Sequence, residues 1–312
     1  MVLLVRIEIM NTSTPSSLSK SVGPEDESRE VVRFQSLGVE IHAYFIPAKT
    51  GAKNPALVVS HGAGEFKDNY LEMADHLSSR GISCFLLDMH GHGESGGHAY
   101  HVCIKDWVAD IQAAVNYLET RPDVDSKRIG AFGLSSGGTA ILEMAVLDSR
   151  LKALVALDAT VMNTLPFSIS VMMGSLSVIG YIKRLITGKD LRISIVKMLE
   201  EVELASDPEI NARLRVDPGK IRAFTNFPLP GAAEAFFVNT IRRVSKITAA
   251  TLIIWGEHDN LDPVSTAHVL HEALTCEKSL EIVEGNGHVG HLDRNRIKVF
   301  DLTADWLLKH LS

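Results

Sequence analysis

The chain has 312 residues, 46% hydrophobic and 22% charged, with a formal net charge of −7 and a pI near 6.0. That length suffices for one large core or for a core domain carrying an insertion, and the acidic balance excludes the basic footprint that a nucleic-acid partner requires. Cys84, Cys103 and Cys276 are odd in number and lack CxxC spacing, which disfavours a disulfide framework and a structural zinc site and makes the reducing cytoplasm the expected compartment.

From the start, Met1 to Met10 is apolar but interrupted by Arg6 and Glu8 and lacks a cleavage site, so a secretory signal is disfavoured. Asn11 to about Glu30 is rich in Ser, Thr, Pro and charge, and residues 1–29 read as a mobile leader, with Met10 as a second candidate start. Val31–Gln35 and Val39–Ile46 then alternate apolar and polar residues around Leu37-Gly38, a hairpin pattern. Ala56–Ser60 is a short apolar run suited to a buried strand. Beyond it the pattern switches regularly: helix 70–80, strand 82–87, helix 104–119, strand 127–132, helix 139–147, strand 151–157. Such alternation predicts right-handed crossovers and a mostly parallel sheet flanked by helices. Strands at 251–255 and 279–283 and a helix over about 297–310 complete the chain.

Between Asp158 and about Thr248 that rhythm stops, and proline clusters at Asp217-Pro218-Gly219 and Phe227-Pro-Leu-Pro-Gly231 give the segment a different texture. We assign core residues 30–158 and 246–312, with 159–245 as an inserted helical cap. Within it, Ala159 to Ile182 carries no charged side chain, yet its recurring Ser, Thr and Asn residues argue against a transmembrane span. A lid helix over the site is the plain expectation. A sharper one has Leu165, Phe167, Val171, Met172, Met173 and Leu176 lining an acyl pocket or touching a lipid surface.

The chemistry concentrates at predicted strand ends, where ligand sites of open parallel sheets form. Gly133-Leu-Ser135-Ser-Gly137 follows a strand and opens a helix, the context of a nucleophile elbow; its glycines stand where side chains would collide, and the helix amides point at any developing oxyanion. A serine needs a base, and the base an acid, in the chain order Ser, acid, His. Asp259 follows the strand ending at Trp255 and is the expected acid; Asp262, the nearest competitor, reads as an N-cap for the next helix. His288, between Gly287 and Val289 after the last strand, is the expected base, with His291 as alternative. His61-Gly-Ala-Gly64 offers the N–H of Ala63 as an oxyanion donor beside that of Ser136, while the His61 side chain reads as structural.

In that order, His61-Gly-Ala-Gly-Glu65, Asp88-Met-His-Gly-His-Gly-Glu-Ser95, the elbow, Gly256-Glu-His-Asp259 and His288-Val-Gly-His291 resemble the monoacylglycerol lipase and lysophospholipase branch of the α/β-hydrolase superfamily. The resemblance covers about residues 31–158 and 245–312. It implies an α/β-hydrolase fold, no cofactor, and Ala63 and Ser136 as oxyanion donors. Leu134 stands before the nucleophile where that branch usually has His, and with Leu165, Phe167, Met172 and Met173 it forms the expected substrate-binding set. The expected activity is hydrolysis of small-molecule carboxylic esters, acylglycerols or other small acyl esters, through an acyl-enzyme on Ser135, His288 and Asp259. Thioester hydrolysis, acyl transfer and aminopeptidase-like cleavage use the same triad, and a non-catalytic binding protein of the same fold is the alternative from another class. His90, His92, His98 and His101 invite a metal reading, but His90-Gly-His-Gly93 forms a glycine turn that Asp88 anchors, and no metal is expected. Glu201, Glu203, Asp207 and Glu209 read as a solvated face, with recognition of a substrate amine by an acidic patch near the pocket as the alternative. Oligomeric state is left open.

Overall fold

A computed structural model describes residues 29–50 and 53–312; residues 1–28, nearly all of the predicted leader, lie outside the described residues. Strands β1 (Glu30–Ser36) and β2 (Val39–Ile46) pair antiparallel, and Leu37 and Gly38 both take positive φ (50° and 77°), the two-residue turn whose twist matches a hairpin. Next come β3 (Asn54–Ser60), helix α1 (Leu71–Ser79), β4 (Ser83–Leu87), α2 (Ile104–Glu119), β5 (Val124–Leu134), α3 (Ser136–Leu147) and β6 (Leu151–Leu157). An insertion follows, holding α4 (Phe167–Thr187), β7 (Leu191–Ile193), α5 (Lys197–Glu201), α6 (Pro208–Val216), α7 (Pro218–Thr225) and β8 (Phe227–Leu229). The chain then returns to the sheet with β9 (Ala250–Gly256), α8 (Val264–Ala273), β10 (Lys278–Val283) and α9 (Arg296–His310).

The main sheet has the order β1-β2-β4-β3-β5-β6-β9-β10, parallel from β4 to β10. β3, β4 and β9 are buried at every position, which is why they read as continuous apolar runs: helices cover both faces. Strand alternation divides the core in two. Val58, Ala131 and Leu154 pack with Trp107 and Ile111 of α2, Ile141 of α3 and Leu270 of α8; Val59, Phe132 and Val155 pack with Met73 and Leu77 of α1 and with Phe300 and Leu307 of α9. Each pair of neighbouring strand residues therefore serves opposite layers, as a period of two requires.

The insertion is not purely helical, since β7 and β8 pair antiparallel as a second small sheet. Three-residue strands are too short to leave a periodic signal. The proline clusters resolve into structure: Asp207 and Asp217 each cap a helix by accepting an N–H from Glu209 and Lys220, with Pro208 and Pro218 in the first turn. Asp207, read from the sequence as part of a solvated face, also caps a helix there. α4 is long and apolar enough to cross a membrane by length and composition alone, and only 11% of its most apolar window is buried. Its buried contacts are few; Met173 joins Leu191, Ile193 and Leu229 in a small cluster of the insertion.

Candidate active site

β5 ends at Leu134 and α3 begins at Ser136, so Ser135 alone makes the turn, at φ 51° and ψ −119°. Such a conformation costs a non-glycine residue about 1–3 kcal/mol and persists only where its surroundings enforce it. They do so here through backbone bonds: Ser135 N–H donates to Leu157 O (3.0 Å), and Ser135 O accepts from Thr139 N–H (3.0 Å). A Cβ at Gly133 would run into the Gly137 carbonyl, and one at Gly137 into the Ser60 carbonyl. The two glycines of the motif are therefore required by close backbone approach. Ser136 is in the first turn of α3, where the amide has no intrahelical acceptor.

The predicted acid and base meet. His288 Nδ1 lies 2.8 Å from Asp259 Oδ2, and the other oxygen of Asp259 accepts from the N–H groups of Leu261 (2.8 Å) and Asp262 (2.9 Å). Nothing about the carboxylate is left free to rotate. Burial opposes the charged imidazole, but Asp259, with Asp158 and Asp262 behind it, outweighs burial and raises the His288 pKa to about 10. Asp158, just past β6, was not singled out from the sequence. It is wholly buried at φ 44°, accepts from Gly256 N–H at 2.7 Å through Oδ1, and leaves Oδ2 without a partner. Burial first, and the Asp259 charge second, push its pKa well above the carboxylate range.

Asp262 does not cap α8, whose N-cap is Pro263; that expectation is corrected. Its side chain turns inward and accepts from Thr160 Oγ1 at 2.8 Å, because Trp255 Nε1 takes its carbonyl (2.9 Å) and Asp259 takes its N–H. Burial raises its pKa to about 6. The hydroxyl of Ser135 is bonded to this same Thr160 Oγ1, at 3.3 Å.

Ser135 and His288 border one cavity of about 390 Å³ at the carboxyl ends of the strands, together with Ala63, Ser136, Thr160 and Asp262. Of the expected substrate-binding set, Leu134, Leu165, Met172 and Met173 line it. Phe167 does not: it is 85% exposed, because the stripe of α4 facing the cavity runs through Ile169, Met172 and Met173 and leaves Phe167 on the far side. Of the acidic residues read as a solvated face, Glu201 is exposed and also borders the cavity.

His61 is structural as expected, since Nδ1 donates to Gly62 O (2.8 Å) and Nε2 accepts from Met89 N–H (3.0 Å). Asp88 anchors the glycine turn by accepting from the N–H groups of Lys67 and Glu94, and it pairs with Lys67 Nζ at 2.6 Å. His90 is bonded to Asp110. His98, His101 and Asp190 bring potential ligand atoms within 4.8 Å of one another; Arg184 donates to His98, Arg192 to Asp190, and His101 Nε2 lies 3.0 Å from the same carboxylate.

The insertion reaches the loop that carries Ala63 through α7. Lys220 Nζ lies 3.2 Å from Glu65 Oε1, both side chains are almost fully buried, and Tyr70 OH donates to Glu65 Oε2 at 2.6 Å. Burial alone would raise the Glu65 pKa; Lys220, His291 and Tyr70 hold it well below the usual range. His291, the alternative base, stacks on Tyr70 with centroids 4.4 Å apart and has Nε2 3.6 Å from Glu65 Oε2, whereas the bond to Asp259 is made by His288. Lys220 and the Glu65 pairing had no sequence signal, since they are 155 residues apart.

The chain is similar to known proteins along most of its length. The chain is 24% identical over 265 residues to the monoacylglycerol lipase of Mycolicibacterium smegmatis, covering 82% of this chain and 88% of that one. It is 28% identical over 252 residues to the monoglyceride lipase homolog of Monkeypox virus, covering 77% and 83%. The solved α/β hydrolase GrgF from Penicillium superposes with a TM-score of 0.77 at 22% identity, over 91% of this chain and 99% of that one, a likeness of fold. Residues 51–295, well over half of the chain, match the Hydrolase_4 family, described as serine aminopeptidase, S33. The chain belongs to that family, and it is an α/β-hydrolase that resembles the monoacylglycerol lipase branch.

Proposed function

We propose that the protein is a serine hydrolase of carboxylic esters, with Ser135 as nucleophile, His288 as base and Asp259 as the acid that orients it. One observation carries this reading: a serine on a strained, glycine-enforced turn and a histidine already bonded to a buried aspartate border the same cavity. Ser135 Oγ adds to the ester carbonyl carbon as its proton passes to His288 Nε2. The oxyanion is stabilised by the N–H groups of Ala63 and Ser136. Collapse breaks the bond to the alkoxide, which leaves with the proton from His288; a water molecule, giving its proton to His288, then releases the acid and restores Ser135.

The composition of the cavity supports an ester of an apolar acyl chain with a polar alcohol, of the acylglycerol type. Leu165, Ile169, Met172, Met173 and Phe236 suit the chain, and Lys220 and Glu65 offer a polar end beside the oxyanion loop. Residues 159–245 act as the cap that shapes this space. The outer face of α4, where Phe167, Leu185 and Ile186 are 85%, 78% and 76% exposed, rests on a lipid surface, with Lys183 and Lys189 near its end suited to anionic head groups. Free cysteines support a reducing, cytoplasmic setting.

A fluorophosphonate probe tests the core of this reading. It should label the wild type covalently and leave Ser135→Ala unlabelled, and p-nitrophenyl esters should be hydrolysed by the first alone. Equal labelling of both, or none of the wild type, would sink it.

A further inference from the structure

Ester cleavage by Ser135, His288 and Asp259 leaves Thr160 without a task and uses Asp262 only as a more distant charge, yet both are built into the nucleophile's surroundings. Thr160 Oγ1 donates to Asp262 Oδ2 at 2.8 Å and lies 3.3 Å from Ser135 Oγ. A threonine hydroxyl carries one proton. With that proton given to a carboxylate, Thr160 presents only lone pairs to Ser135, so the Ser135 O–H must be the donor. Neither partner is free to drift. Thr160 N–H donates to Ser135 O (3.3 Å) and Thr160 O accepts from Thr139 Oγ1, while Asp262 is pinned at both backbone groups and is 4% exposed.

We propose that Thr160, fixed by Asp262, is a resting-state catch: it holds the proton of Ser135 away from His288, and the hydroxyl must break this bond and turn before it can attack. The inference rests on Ser135 being the nucleophile. Thr160 is a positioning residue, acting through Ser135 without entering the chemistry. The catch lowers the resting reactivity of a half-buried serine that borders the cavity and yields when a bound carbonyl and the oxyanion donors draw the oxygen toward the acyl carbon.

The test is the second-order rate of fluorophosphonate labelling in the full chain, compared among wild type, Thr160→Val, Thr160→Ala and Thr160→Ser. Removing one neutral hydrogen bond from the ground state should accelerate labelling about 2- to 10-fold in the Val and Ala variants, whereas the Ser variant, which keeps the hydroxyl, should return to the wild-type rate. A merely structural role for Thr160 predicts slower labelling, so acceleration is the diagnostic sign. Val and Ala differ in shape, and whichever folds with wild-type circular dichroism decides the outcome. Rates at or below wild type in the folded variant overturn the catch while leaving the nucleophile intact. A wild type that does not label at all overturns the nucleophile assignment and the catch with it.

Discussion

Asp259→Asn isolates the electrostatic part of the proposed mechanism. In the transition state His288 carries the proton taken from Ser135, so whatever stabilises the imidazolium lowers the barrier. Raising the His288 pKa from 6.5 to about 10 corresponds to about 5 kcal/mol of imidazolium stabilisation at about 1.4 kcal/mol per tenfold. Asp259 is the carboxylate in direct contact, at 2.8 Å, and Asp158 and Asp262 supply the remainder from farther away. Assigning Asp259 the larger part gives a loss of about 3–4 kcal/mol, or roughly 10²- to 10³-fold, in the high-pH limit of kcat/KM, where the resting His288 is neutral; at lower pH the resting imidazolium loses the same stabilisation and the deficit shrinks. Asparagine adds a second fault, because its amide N–H can bond Nδ1 and move the ring proton to Nε2, where the base must be empty. The assay is kcat/KM on a p-nitrophenyl ester across pH. Since only neutral His288 accepts the proton, wild-type kcat/KM should rise with pH as a strongly raised pKa is passed, and the variant's inflexion should move to lower pH. A variant within threefold of wild type, with an unmoved inflexion, would refute Asp259 as the acid.

Two other outcomes follow from the insertion. Lys220→Met strands the Glu65 carboxylate, which is 2% exposed, and should cost about 3–5 kcal/mol in denaturant unfolding; adding Glu65→Gln should recover most of it, and a single variant as stable as wild type would remove the pair from any structural role. Leu185→Glu with Ile186→Glu, on side chains exposed by 78% and 76%, should leave p-nitrophenyl acetate turnover unchanged and abolish flotation with anionic phosphatidylglycerol vesicles; undiminished flotation would rule out α4 as the lipid contact.

The core was legible because its residues obey local rules. β3, β4 and β9 are continuous apolar runs since both faces are covered, and α2 announces itself through Trp107, Ile111, Ala114, Val115 and Leu118 on one face. Ser135, Asp259 and His288 were legible for a related reason: each follows a strand, and in a parallel sheet the strand ends share one edge. Asp262 shows where local rules stop. Asp-Pro occurs at 207–208, 217–218 and 262–263; a cap is expected only at the third, and it is the first two aspartates that cap the helix that follows. At the third, Trp255 and Asp259 take the backbone of Asp262, and its carboxylate finds Thr160, 102 residues away in sequence. Phe167 fails for want of phase, since an uncharged stretch does not reveal which stripe of α4 faces inward.

The insertion was the least legible part because its fold is written in contacts with the core rather than in its own periodicity. α7 is a short helix, yet its seat is exacting: a Cβ at Gly219 would strike Phe66, Phe224 packs over Gly64, and Lys220 pairs with Glu65. All three contacts fall on the loop that carries Ala63. The segment that walls the cavity is thereby fastened to the same loop that supplies one of the proposed oxyanion donors, so a shift of α7 alters pocket shape and oxyanion geometry together. Changes at this seam should therefore move kcat as well as KM, whereas changes confined to Met172 and Met173, which touch the cavity from α4, should act chiefly on chain-length preference.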